Sequence, residues 1–240
     1  MTDELMLSAS STNHYWRCHH AWYLNYVMRI PSPGNLVMAL GQAVHAAIER
    51  FWTSPLMPVA ALTETFNRET EHLAEEKAAD AEALADGMKM LSTYIREVSP
   101  GYHPTIIERK FTVRMEGVLW TGILDNADDE DVRDIKTTSG KTINGRKPSF
   151  DPSRYDIAMT GYSVGYESIT GRPPKRRLLD VLKRSGKYQQ YERPLKMGDF
   201  IDTIRLTSSA IMQRDFSPTG LLNGSCASCP YFTTGDCVYV

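Results

Sequence analysis

No apolar run in this 240-residue sequence approaches the roughly 18 residues needed to cross a bilayer, so no membrane partner is expected. Residues 1–9 lack the basic start and long apolar stretch of a secretion signal. That argues against disulfides and for a cytoplasmic setting, a host's cytoplasm if the chain is phage-encoded. There is no repeat, no low-complexity tract, and no P-loop or helicase motif, so any motor it works beside is another chain. Nor is there a basic excess: the formal net charge is −2, and any polyanion has to be met by a local patch. What remains, at 42% hydrophobic residues, is enough to bury a core as one domain over 1–240 with a helical insert at about 58–99.

Chemistry concentrates between Gly122 and Lys136. Alternate side chains of a strand share a face, so Asp134 and Lys136 point one way and Ile135 the other, into a core. Val118–Leu124 reads as a preceding strand, and Asp128-Asp129-Glu130-Asp131 as the hairpin turn between them. A turn centred between Asp129 and Glu130 sets Asp125 opposite Asp134, with Cβ atoms roughly 4.5–5.5 Å apart. Two carboxylates that close repel unless a cation lies between them or one is protonated. Such oxygen ligands suit Mg²⁺ or Mn²⁺, and a neighbouring ammonium suits a phosphate.

Upstream, Met38–Trp52 has a helical period, with Leu40, Val44, Ala47, Ile48 and Phe51 in one apolar stripe. Gly41, His45 and Glu49 fall at i, i+4 and i+8 on an adjacent face, and Gly41 would let that face approach a sheet closely. Thr105–Met115 alternates as a strand, with Ile107, Phe111, Val113 and Met115 on one side and Glu108, Lys110, Thr112 and Arg114 on the other. Glu108 is thus a polar-face carboxylate, readable as a support or second-metal group or as a solvated residue.

The order Gly41-x-x-x-His45, Glu108, Gly122-Ile-Leu-Asp125, Asp134-Ile-Lys136 resembles the RecB-type branch of the PD-(D/E)XK nucleases. The resemblance implies a restriction-endonuclease-like α/β core, with a central mixed sheet flanked by helices. It also implies that His45, Asp125, Asp134 and the main-chain oxygen of Ile135 hold the metal, while Lys136 helps position the attacking water. The family's Q-x-x-x-Y helix is matched at Tyr162, but Ala158 stands where the glutamine would be. That departure bears on DNA positioning rather than on the metal.

The cysteines are Cys18, then Cys226, Cys229 and Cys237 near the end. A C-x₂-C pair with two further cysteines makes a four-thiolate set for a cubane iron–sulfur cluster or a structural zinc. One cysteine ahead of the core and three behind it resembles the iron–sulfur nucleases of the AddB type and the RecB-like exonucleases of CRISPR adaptation. In those a 4Fe-4S cluster ties the domain's ends, so Cys18 is expected to pack with the loop 226–237. The seven residues between Cys229 and Cys237 are more than that family's usual spacing, and His19 replaces its usual proline. Leu7-Ser-Ala-Ser10 reads as a helix cap leading to Cys18, and His19 and His20 are alternative ligands or surface histidines.

Charge is uneven. Residues 59–98 are acidic and Ala-rich helix, whereas Arg172, Lys175, Arg176, Arg177, Lys183, Arg184, Lys187 and Arg193 crowd one basic stretch. With Lys141, Arg146 and Lys147 after the Asp-x-Lys strand, Arg176 and Arg177 are candidate phosphate contacts. A helix over 153–170 ending at Gly171, strands at 177–183 and 188–193, and a helix over 196–216 complete the pattern. The expected protein is a Mn²⁺- or Mg²⁺-dependent exonuclease on single-stranded DNA or DNA ends, with a 4Fe-4S cluster. A helicase, recombination or CRISPR-adaptation partner is implied by the resemblance. The alternatives are a catalytically silent DNA-binding subunit and a zinc-stapled interaction module.

Overall fold

The computed structural model describes residues 4–32, 34–54, 57–71, 73, 77–138 and 150–239. In chain order the elements are β1 (Met6–Leu7), α1 (Ala9–Arg17), α2 (His19–Tyr26), α3 (Leu36–Thr53), α4 (Pro58–Thr70) and α5 (Lys77–Thr93), continued by a π-helical turn, Tyr94–Val98. Then come β2 (Ile106–Met115), β3 (Val118–Ala127), β4 (Asp131–Thr138), α6 (Asp156–Thr170), β5 (Arg176–Lys183), β6 (Tyr188–Glu192), α7 (Met197–Met212), α8 (Gly220–Asn223) and α9 (Pro230–Thr233). The strands form a mixed sheet in the order β1-β3-β4-β5-β6, with β2 beside β3. The fold is α/β.

The chain divides into two compact units, each assembled from separated segments. The larger comprises Gly34–Phe111 and Ile123–Leu195. Its core lies where the apolar stripe of α3 (Leu40, Val44, Ala47, Ile48) meets Leu62 and Phe66 of α4, Met90 and Leu91 of α5, and Ile135 and Leu182 of the sheet. Asn35 caps α3 by accepting a hydrogen bond from the Met38 amide at 3.0 Å. Gly41 faces the sheet so closely that a Cβ there would lie 3.3 Å from Thr137 Oγ1. On the other face of β4, α6 begins after a 3-10 turn at Pro152–Tyr155 and stops at Gly171, whose φ of 76° is the left-handed cap.

The smaller unit comprises Met1–Pro33, Thr112–Gly122 and Lys196–Val240. Helix α1 opens with a capping box in which Ser8 and Ser11 satisfy each other's amides. Glu116 and Gly117, both at positive φ, close the β2–β3 hairpin as a two-residue turn. Tyr15 donates its hydroxyl hydrogen to the Asp215 carbonyl, Trp16 Nε1 donates to Thr207 Oγ1, and Trp120 meets Phe200 edge-on. Helix α7 ends at Met212, short of the expected Phe216, and Arg214 then takes a left-handed φ of 59°. Among the described residues no helix is long and apolar enough to cross a membrane.

Candidate active site

The β3–β4 ladder is short: Asn126 pairs with Arg133 and Ala127 with Val132. One step further, the same register sets Asp125 against Asp134. Beyond it the ladder has no further pairs, which leaves the outward N–H and C=O of Ile135 to be satisfied by side chains. The Ile135 amide donates to Asp125 Oδ2 at 2.7 Å, and His45 Nε2 lies 3.0 Å from the Ile135 carbonyl oxygen. A helix, a hairpin and one open peptide unit thus converge because a sheet ladder stops.

With Nε2 spent on that carbonyl, His45 Nδ1 faces Asp125 Oδ2 at 3.6 Å and Glu108 Oε1 at 3.7 Å. Burial opposes a charged ring, but the Asp125 and Glu108 carboxylates outweigh it and the His45 pKa is raised. A proton or a cation belongs between these groups. One ligand atom each from His45, Glu108 and Asp125 lies within 4.8 Å of the others. Glu108 reaches this place through a backbone φ of 45°, a left-handed kink inside β2 that strict alternation does not foresee.

Asp134 is 2% exposed. Its Oδ1 accepts from Lys136 Nζ at 2.7 Å, and its Oδ2 is buried with no hydrogen-bond partner. Burial raises its pKa to about 6 despite the adjacent ammonium. Burial alone would lower the Lys136 pKa, but Asp134 more than reverses this, so the lysine is a fixed cation. The Tyr162 hydroxyl is held protonated first by burial and then by Asp134, which places α6 over the carboxylate. Ala158, one turn before Tyr162, is buried. The imidazole of His45, the Glu108 and Asp125 carboxylates and the orphaned Asp134 oxygen suit a divalent cation.

A sequence model for the PD-(D/E)XK nuclease superfamily matches residues 6–233. This chain belongs to that superfamily. A solved structure from Eubacterium rectale named "Putative exonuclease" is similar to it, with a TM-score of 0.58 and 12% identity over 87% of this chain and 79% of that one. A second structure, SSO0001, is 13% identical, covers 92% of each chain and has a TM-score of 0.41. No curated protein matches the sequence. The fold likeness gives the sheet and its flanking helices a restriction-endonuclease-like core, and nucleases of this superfamily use divalent metals.

The nuclease does not bring every candidate to this centre. Arg176 pairs in register with Asp131 on the sheet face opposite Asp134, and its guanidinium binds Asp131 through two bonds of 2.8 and 2.6 Å. Its distance from the centre follows from strand alternation. Arg177 shares the Asp134 face, at the level of Val132, and its Nε donates to the Arg193 carbonyl. Lys175 and Arg172 pair with Glu130 and Asp129, so much of the basic stretch neutralises the acidic turn beside it. Lys141, Arg146 and Lys147 lie outside the described residues.

In the smaller unit Cys18, Cys226, Cys229 and Cys237 are free thiols lining one cavity. Burial, and then proximity to the other three, raises the Cys226 pKa. A Cβ at Gly220 would lie 3.2 Å from Cys226 Sγ and 3.3 Å from Cys18 Sγ, so the glycine keeps that cradle open. Among the described residues no three of these sulfurs lie within 4.8 Å of one another. His19 is occupied elsewhere, stacked on Tyr15 with Nδ1 3.3 Å from Asp215. His20 is also buried rather than at the surface, and meets Tyr239 edge-on.

Proposed function

We propose that this superfamily member is a Mn²⁺- or Mg²⁺-dependent DNA exonuclease acting on single strands or DNA ends. The observation that carries the reading is the meeting of His45, Glu108 and Asp125 at the open Ile135 peptide, with Asp134 and Lys136 alongside. His45, Asp125, Asp134 and the Ile135 carbonyl would hold the ion, with Glu108 supporting them or holding a second one. When bound, such an ion would supply Lewis acidity toward the scissile phosphate and a lowered pKa to a water. Lys136, kept cationic by Asp134, orients that water and offsets charge developing on the phosphate. Asp125 holds the Ile135 amide and His45 holds the Ile135 carbonyl, which fixes the backbone at this residue.

The cysteine cavity is assigned a structural 4Fe-4S cluster. A single tetrahedral zinc needs sulfurs about 3.8 Å apart, given metal–sulfur bonds of about 2.3 Å. The choice of the cluster over zinc rests on the order of the cysteines, one ahead of the core and three behind it. The RecB- and AddB-type assignment, and work beside a helicase, in recombination or in CRISPR adaptation, follow from the motif order alone.

The deciding experiment follows end-labelled single-stranded DNA with anaerobically purified protein, with and without Mn²⁺, beside Asp134→Ala. Metal-dependent release of label by the wild type and none by the variant is expected. A folded, DNA-binding wild type that leaves the label intact would make the chain a silent subunit.

A further inference from the structure

Beside Lys136 three half-buried aromatic residues run toward the edge of the sheet. The Lys136 ammonium lies 5.7 Å from the centre of the Tyr155 ring. Tyr155 stacks on Phe150 at 5.5 Å and 15°, and Phe150 stacks on Tyr191 at 5.8 Å and 27°. The sheet register fixes the direction: Asp134 pairs with Leu179 and Leu179 with Tyr191, so Tyr191 shares the Asp134 face two strands away, roughly 10 Å, on edge strand β6.

These rings differ from the packing elsewhere in the same unit. Phe51, Trp52, Tyr94 and Tyr102 meet edge-on, as Phe111 and Tyr162 do, at 69–88°. Buried aromatic pairs adopt both edge-on and stacked arrangements, so exposure rather than angle is what distinguishes a face open to a ligand. Phe150, Tyr155 and Tyr191 instead lie nearly parallel and offset, and each reaches solvent. With centres 5.5 and 5.8 Å apart the rings cover one another only in part, and the solvent-exposed part of each is what a nucleobase can stack on. Bases inside a duplex are already stacked on their neighbours and have no free face to give.

We infer that Tyr155, Phe150 and Tyr191 form a stacking track that carries unpaired bases of a single DNA strand to the metal centre. This rests on the nuclease reading and narrows its substrate. Charge beside the track is mixed: Arg154 is exposed next to Tyr155, but Asp151 and Glu192 flank Phe150 and Tyr191. Binding here therefore draws on stacking more than on phosphate attraction, and its dependence on the rings survives added salt.

The test is fluorescence anisotropy of a labelled thymidylate oligomer of about 15 nucleotides, and of a blunt duplex of equal length, without added divalent ion. Phe150→Leu and Tyr191→Leu keep bulk and remove the ring face, and their melting temperatures report folding. Each is expected to weaken single-strand binding about tenfold, with duplex binding changed less than twofold, while Tyr191→Phe restores wild-type affinity. Unchanged single-strand affinity in both leucine variants overturns the track, as does an equal loss on the duplex. Ring-dependent binding by a protein that never cleaves would leave the track standing and remove the nuclease. Metal-dependent cleavage with ring-independent binding would do the reverse.

Discussion

Asp125 serves two purposes that one substitution cannot separate but a pair can. Its Oδ2 faces His45 as a candidate ligand and accepts the Ile135 amide that the ended ladder leaves open. Asp125→Ala leaves that N–H without its acceptor, a cost of about 1–3 kcal/mol, whereas Asp125→Asn can still accept it. We expect Ala to lower the melting temperature and Asn to leave it near wild type. Both should lose Mn²⁺-dependent cleavage by on the order of 100-fold or more, because neither supplies a carboxylate. Melting curves and initial rates on one labelled oligomer check the pair. At this scale Asp125, Asp134 and Lys136 were legible because strand period and hairpin centre determine which side chains share a face. Glu108 was legible as a polar-face candidate, but not the left-handed φ that carries it to His45, which no residue pattern announces at a glutamate. The face of Arg176 was not legible for the opposite reason: counting charges in a stretch ignores alternation, which turns it to the far face and onto Asp131.

Helix α6 is held close to β2 by the absence of a side chain. A Cβ at Gly165 would lie 2.5 Å from the Phe111 ring, so the two elements pack without space for even a methyl group. The same helix carries Tyr162 to Asp134, one turn earlier. Gly165→Val should therefore cost about 1–3 kcal/mol through overpacking and also move Tyr162, so that cleavage falls in protein that remains folded. A lowered melting temperature with an unchanged cleavage rate would show that the position of α6 does not matter to the site. The helices and the β3–β4 hairpin could be read in advance because their periods and turn residues are local. The π-turn after α5 and the 3-10 entry to α6 could not, as both are irregularities within otherwise helical patterns.

Neither of the two units is continuous in the sequence. Three segments build the smaller one, so no linker or change of composition marks its borders. Its four cysteines span the chain from Cys18 to Cys237 and still line one cavity. Bridging Cys18 to Cys226 closes a loop of about 200 residues, and by the chain-entropy account a cross-link of that length contributes on the order of 5 kcal/mol. Loss of the centre should thus be a folding defect of the whole chain, separable from loss of catalysis. We expect Cys229→Ser, purified anaerobically, to lose the brown absorbance and the bound iron of the wild type, and to give less soluble protein with a lower melting temperature. Lys136→Ala leaves the buried Asp134 without its partner and should lower the melting temperature, but it should keep colour and iron while losing cleavage. A colourless wild type holding one zinc per chain would overturn the cluster assignment, yet the stabilisation by loop closure would remain, because either centre joins the same distant thiolates.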